Sequence, residues 1–353
     1  MYVHNLDPFA IQISGDFGVR WYGLSYMAGF IAAFLLISWI VKKQRAGLAV
    51  SMVSDFITYA AIGTLVGGRL GYVFFYSPDL LLKFKSDFPF WGVLAVNEGG
   101  MASHGGIIGI VVAVLLFARK HGINSLYLMD LVAMVGPVGV FFGRIANFIN
   151  GELVGREAPA DFKYAVKFPS DIFNWPSQDF AKLETLTPVV ENLGVTRDQW
   201  LENLGKYSLD AGARNEVFGT LNRIVVEIQS GNEVLRKSIE PLLMPRYPSQ
   251  LIAAVLEGLF TFLVLFFLWR KPRKPGFIAA TFVMLYATVR VINEQFRMPD
   301  AHIGFQALGL TRGQWLSVGM FVVGAVMMFL WMRSNNIAVN GWSSGHSIKL
   351  GRK

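Results

Sequence analysis

The stretch Gly143-Arg144-Ile145-Ala146-Asn147-Phe148-Ile149-Asn150-Gly151-Glu152-Leu153-Val154-Gly155 closes an apolar run that begins near residue 127. That run is long enough to cross a bilayer, so its polar end sets an arginine, two asparagines and a glutamate where a helix leaves the hydrocarbon. Groups at such a depth lose hydration that only a partner or a ligand replaces, and clusters of this kind mark functional sites. The pattern predicts a membrane protein with a site for something charged.

Seven apolar runs reach spanning length: 20–41, 53–76, 101–119, 127–149, 250–269, 276–294 and 315–333. With 53% hydrophobic and 16% charged residues, the chain is too apolar for an ordinary soluble domain. The fold class expected is an all-α integral membrane protein with seven transmembrane helices and an extracytoplasmic head domain. An odd number of spans puts the two ends on opposite sides. The basic clusters Lys42, Lys43 and Arg45; Arg119 and Lys120; Arg270, Lys271, Arg273 and Lys274; and Arg333 with Lys349, Arg352 and Lys353 then fall together. They lie inside if the N-terminus is extracytoplasmic and the C-terminus cytoplasmic, as the positive-inside rule requires. No basic segment precedes the first run and no small-residue cleavage site follows it, so that run reads as a retained anchor.

The domains expected are residues 1–155, holding helices one to four with an outer loop at 77–100; an enlarged head at 156–247; helices five to seven at 248–334; and a cytoplasmic tail at 335–353. Within the head, Thr196-Arg197-Asp198-Gln199 reads as a capping box, and 211–230 as a helix closed by Gly231. The stretch Phe168 to Pro176, rich in aromatics and proline, reads as loop.

The formal charge of +8 is not a nucleic-acid signature. From Arg156 to Arg246 there are 11 Lys and Arg against 13 Asp and Glu, and the rest of the chain carries 21 against 11. The excess lies beside the spans, where it sets topology. There is no cysteine, which excludes disulfides, thiolate metal sites and a cysteine nucleophile. Neither a carboxylate cluster nor a metal-type histidine spacing occurs, and no Walker or dinucleotide glycine loop, so neither metal nor cofactor is expected.

Given the topology, each unusual polar residue acquires a depth. Arg144, Asn147, Asn150 and Glu152 lie at the outer end of span four. Arg290, Glu294 and Arg297 share one face of span six near its outer end. His104, followed by Gly105 and Gly106, opens span three from outside; Tyr26 lies in span one after Arg20, Trp21 and Tyr22. Arg69 lies in span two beside Gly67, Gly68 and Gly71, which read as helix-packing glycines; Pro137 reads as a kink. Guanidinium forks at one depth suit a phosphate, hence an anionic lipid headgroup. The bland alternative has Arg144 and Arg290 snorkelling, or pairing with Glu152 and Glu294 to lock helices together. A transporter or flippase of an anionic lipid predicts polar residues through the whole depth and two related halves; the inner halves here are almost wholly apolar. An intramembrane protease lacks a nucleophile with its partner, and a purely structural membrane protein needs no such set of arginines.

The stretch 143–155 resembles the signature of the prolipoprotein diacylglyceryl transferases, G-R-x-[GA]-N-F-x-N-x-E-x-x-G. The resemblance continues through Arg20 to Leu24 with Tyr26, Gly67 to Tyr72, His104-Gly105-Gly106, Tyr247 to Leu251, and Arg290 to Asp300 with Glu294, Arg297, Pro299 and Asp300. Ile252 and Ala253 stand where the family usually has Tyr-Glu, while Glu257 matches a later family glutamate. The resemblance implies an enzyme of the bacterial plasma membrane acting toward the outer leaflet. It would transfer the diacylglyceryl group of phosphatidylglycerol to the lipobox cysteine of a preprolipoprotein signal peptide, forming a thioether and releasing glycerol phosphate. The catalytic residues implied are Arg144 and Arg290, on the phosphate, and His104, the natural base for the thiol. Those expected to meet substrate are Tyr26, Arg69, Asn147, Asn150, Glu152, Gly155, Glu294 and Arg297, with Glu294 also holding Arg290.

Overall fold

The structure is a computed structural model and describes residues 1–14, 17–44, 47–86, 89–96, 99–159, 161–298, 306–339 and 341–342. Arg45, Pro299, Asp300, Lys349, Arg352 and Lys353, named above for topology or resemblance, lie outside the described residues. Two short strands, β1 (Tyr2–Val3) and β4 (Val166–Lys167), pair in parallel, and β2 (Phe9–Ser14) forms an antiparallel hairpin with β3 (Phe17–Arg20). The long helices follow the apolar runs: α1 (Trp21–Gln44), α2 (Val53–Phe75), α3 (Ser103–His121) and α4 (Ser125–Ile149). A second series comprises α10 (Ser249–Ala253), a π-helical segment Ala254–Phe260, α11 (Thr261–Leu268), α12 (Phe277–Asn293) and α13 (Arg312–Arg333). Among the described residues, six helices are long and apolar enough to cross a membrane, and α12, at 17 residues, is a shorter apolar helix. The protein is therefore a mostly helical membrane protein.

The chain forms two compact units. One comprises residues 28–139, 261–285 and 322–353, with a core of Ile37, Phe56, Phe117, Leu131, Met134 and Leu265. Here α2 and α3 meet along a seam of small residues. A Cβ on Gly105 would overlap the carbonyl oxygen of Gly67, one on Gly63 would lie 2.5 Å from Gly109 O, and one on Gly71 2.7 Å from Gly105 Cα. Only bare backbone allows that approach, so Gly67 and Gly71 are packing residues, as their spacing predicts. Helix α3 stops at Gly122, whose φ of 64° is the left-handed cap. Pro137 sits inside α4 without ending it. Asp130 accepts hydrogen bonds from Gly276 N (2.8 Å) and Ala279 N (2.7 Å), capping the start of α12. The tail is docked at two described residues: Trp342 Nε1 donates to Phe266 O at 2.9 Å, and Val339 pairs with Arg273.

The other unit comprises residues 1–27, 140–260 and 286–321. Its largest apolar core lies in α5 (Trp175–Gln178), α6 (Thr187–Glu191), α7 (Arg197–Lys206), α8 (Ala211–Gln229) and α9 (Glu233–Ile239), where Val3, Ile172, Trp200, Leu221 and Ile224 are buried together. The capping box at Thr196 forms, with Gln199 N on Thr196 Oγ1 and Thr196 N on Gln199 Oε1. Helix α8 ends before Gly231, at φ 96°. The stretch Phe168 to Pro176 is more regular than its composition predicts: Pro169–Asn174 is a 3-10 helix running into α5. Proline fits a first turn because its missing N–H would be unsatisfied there anyway, and Phe168, Ile172 and Trp175 turn inward.

Candidate active site

The last two turns of α4 carry Arg144 and Asn147 three residues apart, on one face. After Ile149 the chain reverses through two left-handed residues, Gly151 at φ 67° and Leu153 at φ 57°. The reversal folds Glu152 back: its amide donates to Asn147 O at 3.1 Å, and Asn147 Nδ2 donates to Glu152 Oε1 at 2.6 Å. The same Nδ2 donates to Tyr22 OH at 3.1 Å, and the Tyr22 ring lies 5.7 Å from that of Tyr26. Tyr26 is 58% exposed, so it offers an amphipathic face instead of filling a core.

Glu257 is the hub. Its carboxylate is fully buried and accepts hydrogen bonds on both oxygens. Oε2 takes Arg144 Nε at 3.1 Å, Arg144 Nη2 at 2.8 Å and Tyr286 OH at 3.3 Å. Oε1 takes Arg290 Nη1 at 3.1 Å and Asn293 Nδ2 at 2.9 Å. One carboxylate thus holds two guanidiniums apart at a fixed spacing and screens their mutual repulsion. The π-helical segment around it widens the turn, a departure from the α ladder that recurs at functional sites. Gly258 then lies against α4: a Cβ there would be 2.7 Å from Phe141 Cβ.

A second carboxylate continues the network. Arg290 Nη2 contacts Glu294 Oε2 at 3.0 Å, and Thr311 Oγ1 donates to Glu294 Oε1 at 3.0 Å. Thr311 also caps α13, with Gln314 N on its Oγ1 at 3.2 Å. Glu294 therefore sits at a helix N-terminus, where the dipole favours an anion. Arg156 closes the C-terminal end of α12 by donating to the carbonyls of Glu294 (3.1 Å) and Arg297 (2.9 Å). Gly155 bridges to Arg297, and a Cβ on it would overlap Tyr247 O and lie 2.9 Å from Phe296 O. It is glycine because two segments cross there. The Asn150 carboxamide oxygen is buried with no hydrogen-bond partner among the described residues.

The structure thus brings Tyr26, Arg144, Asn147, Asn150, Glu152, Gly155, Arg290, Glu294 and Arg297 into one unit. The pairing of Arg290 with Glu294 forms as the sequence suggests. That of Arg144 with Glu152 does not: Arg144 goes to Glu257, and Glu152 meets it through Asn147, whose Oδ1 lies 3.4 Å from Arg144 Nη1. The sequence motifs give Glu257 no role, although it is the single carboxylate in the apolar run 250–269, and a lone carboxylate in such a run is itself a functional signal. Asn293, Tyr286 and Arg156 gave no comparable signal.

His104 and Arg69 belong to the other unit. His104 is exposed in the first turn of α3, its ring 5.6 Å from Phe75 and 5.8 Å from Tyr76. Arg69 is buried and donates to four backbone carbonyls of the 77–100 loop: Val93 (2.7 Å), Gly92 (2.6 Å), Gly99 (2.5 Å) and Gly100 (3.0 Å). Its contacts are those of a residue that shapes a loop.

Comparison with known proteins points the same way. The family model described as prolipoprotein diacylglyceryl transferase matches residues 8–330. The phosphatidylglycerol–prolipoprotein diacylglyceryl transferase of Bdellovibrio bacteriovorus is 68% identical over 99% of this chain and 100% of its own length. Its namesake in Neisseria gonorrhoeae is 38% identical over 92% of this chain and 95% of its own, and that of Acidiphilium cryptum 33% identical over 92% of each. Arg144, Glu257, Arg290 and Glu294 all fall inside the matched region, and the chain belongs to the prolipoprotein diacylglyceryl transferase family.

Proposed function

We propose that this chain transfers the diacylglyceryl group of phosphatidylglycerol to the lipobox cysteine thiol of preprolipoproteins, the first step of bacterial lipoprotein maturation. The observation that carries the reading is the pair of guanidiniums, Arg144 and Arg290, held on the two oxygens of buried Glu257. Glu257 occupies one edge of each, and the side chains remain 19% and 15% exposed. Glu294 takes Arg290 Nη2 and Asn147 approaches Arg144 Nη1, but each guanidinium carries five N–H donors, so further donors remain for a phosphate. In the step itself the cysteine sulfur attacks the glyceryl carbon, the S–C bond forms, the C–O bond to phosphate breaks, and glycerol phosphate leaves with the bonding pair. The leaving phosphate gains charge, and donors already aimed at it by Glu257 and Glu294 stabilise it without reorganising. Asn147 and Glu152 orient Arg144, and Tyr26 lines the lipid site. A free thiol has a pKa of about 8.5, and His104 is assigned to take its proton, an assignment that rests on the family motif. Arg69 shapes the loop at 77–100, and Gly155 serves by letting two segments cross.

The topology that goes with this reading has seven spans, α12 included, since about 17 residues is the lower limit for crossing. The last turns of α1, α3 and α13 carry Lys42 and Lys43, Arg119 and Lys120, and Arg333, which supports a cytoplasmic end for each. The site and the head at 156–247 then face outward, in the plasma membrane of a bacterium.

The test is a transfer assay with purified protein in lipid, phosphatidylglycerol labelled in its diacylglycerol, and a lipobox peptide bearing cysteine or serine. Label on the cysteine peptide alone, with glycerol phosphate released and the signal lost in Arg144→Ala, is the expected result. Lipid binding without transfer would overturn it.

A further inference from the structure

His4 stands at the end of the N-terminal strand, far in sequence from every residue of the reaction. It is 2% exposed. Its amide donates to Lys167 O at 2.8 Å, extending the β1–β4 pairing, and its ring stacks on Phe168 at 5.3 Å and meets Phe148 edge-on at 5.4 Å. In the neutral ring with its proton on Nε2, that nitrogen donates to Phe148 O at 2.7 Å. Gly151 lies under the same ring: a Cβ there would sit 3.1 Å from His4 Cε1 and Nδ1. Ser170 Oγ donates to Gly151 O. His4 thus grips Phe148 in the last turn of α4, and Ser170 grips Gly151, the first left-handed residue of the reversal that follows. That reversal carries Glu152 back onto Asn147, and Asn147 in turn reaches Arg144.

We propose that His4 is a positioning residue for the transfer reaction: with Ser170 it clamps the Phe148–Gly151 turn and so sets the Asn147–Glu152 pair against Arg144. The inference rests on the reading given under Proposed function. The grip is neutral. Around the ring stand Phe148 from α4, Phe168 from the segment after β4, and Tyr2, whose ring centroid lies 6.4 Å away. The Lys167 ammonium is engaged at Glu240 O, 2.7 Å away.

The experiment compares full-length wild type, His4→Phe, His4→Gln, Ser170→Ala and Arg144→Ala in phosphatidylglycerol-containing lipid, reading kcat and KM for the peptide together with the melting temperature. Phenylalanine keeps the stacking and loses the donor; glutamine keeps an N–H within reach of Phe148 O. The expected result is a fall in kcat of about tenfold for His4→Phe with peptide KM within about twofold, as for an interaction expressed in the transition state. His4→Gln should recover to within about threefold of wild type, and Ser170→Ala should lose about threefold. A folded His4→Phe with wild-type kcat, beside an inactive Arg144→Ala, overturns the clamp and leaves the function standing. A His4→Gln no better than His4→Phe also overturns it. If His4→Phe does not fold, an unchanged kcat in Ser170→Ala does so. Undiminished transfer by Arg144→Ala overturns the clamp together with the reading beneath it.

Discussion

Glu257 carries two opposing demands: a carboxylate with no exposed surface is costly to bury, yet two guanidiniums beside it would be worse alone. Removing one partner of a buried charge network costs about 3–5 kcal/mol, because the others stay behind uncompensated. Glu257→Gln is therefore expected to lower the melting temperature in detergent and to cut transfer by on the order of 10² or more. Thermal scans and initial rates check both, and a stable, active Glu257→Gln would refute the hub. Lysine at 144 keeps the charge but not the fork that grips Glu257 and phosphate together. Arg144→Lys should accordingly retain lipid binding while losing transfer by about 10²-fold. His4 adds a pH dependence. Burial pushes its imidazole down to about 4, partly opposed by the hydrogen bond to Phe148 O. The unfolded chain, with a histidine near 6.5, takes the proton first, so stability is full above pH 6.5 and is lost as pH falls toward 4. The full effect is on the order of 3 kcal/mol. Melting temperatures of wild type should fall faster than those of His4→Phe across that window; parallel curves would show that His4 is not the titrating group.

At the scale of elements, the glycine seam between α2 and α3 makes a contrast that substitutions can read. Alanine at Gly67 or Gly105 puts a methyl into the opposing backbone, which cannot yield as a flexible side chain would. Overpacking of this kind costs about 1–3 kcal/mol. Gly139, in α4, has nothing within 4 Å of a Cβ, and alanine there should gain up to about 1 kcal/mol from helix propensity. Melting temperatures of the three variants decide it, and equal shifts at Gly67 and Gly139 would discredit the seam. These helices were legible because apolar length and small-residue spacing are local signals. The π-helical segment was not, since no local spacing marks it; in the structure it sets Gly258 against Phe141, a residue more than a hundred positions away. Nor was Asp130, which looks like a lone charge in an apolar run until α12 presents its unpaired N–H groups to it.

For the whole molecule, the sequence located the arginines and the family but not the wiring, because Arg144 and Arg290 meet only through a third span and no spacing rule links 144, 257 and 290. Topology is the level at which the charge pattern still makes an independent prediction. The chain has no cysteine, so a single introduced thiol is the only one on the protein itself. Leu209, in the segment after α7, is 89% exposed, and Lys271, after α11, is exposed as well. With seven spans and the basic clusters inside, these two positions lie on opposite faces. A membrane-impermeant maleimide applied to intact spheroplasts should label Leu209→Cys and spare Lys271→Cys, and inside-out vesicles should reverse the pattern. Six spans, with α12 re-entrant, would leave α10, α11 and the position of Lys271 unchanged but carry α13 across in the opposite sense. A thiol at Ile337, 60% exposed just beyond α13, separates the two. Labelling there only in inside-out vesicles requires α12 to cross, whereas labelling from outside the spheroplast would make α12 a half-span and place the second arginine on an element that returns to the face it left.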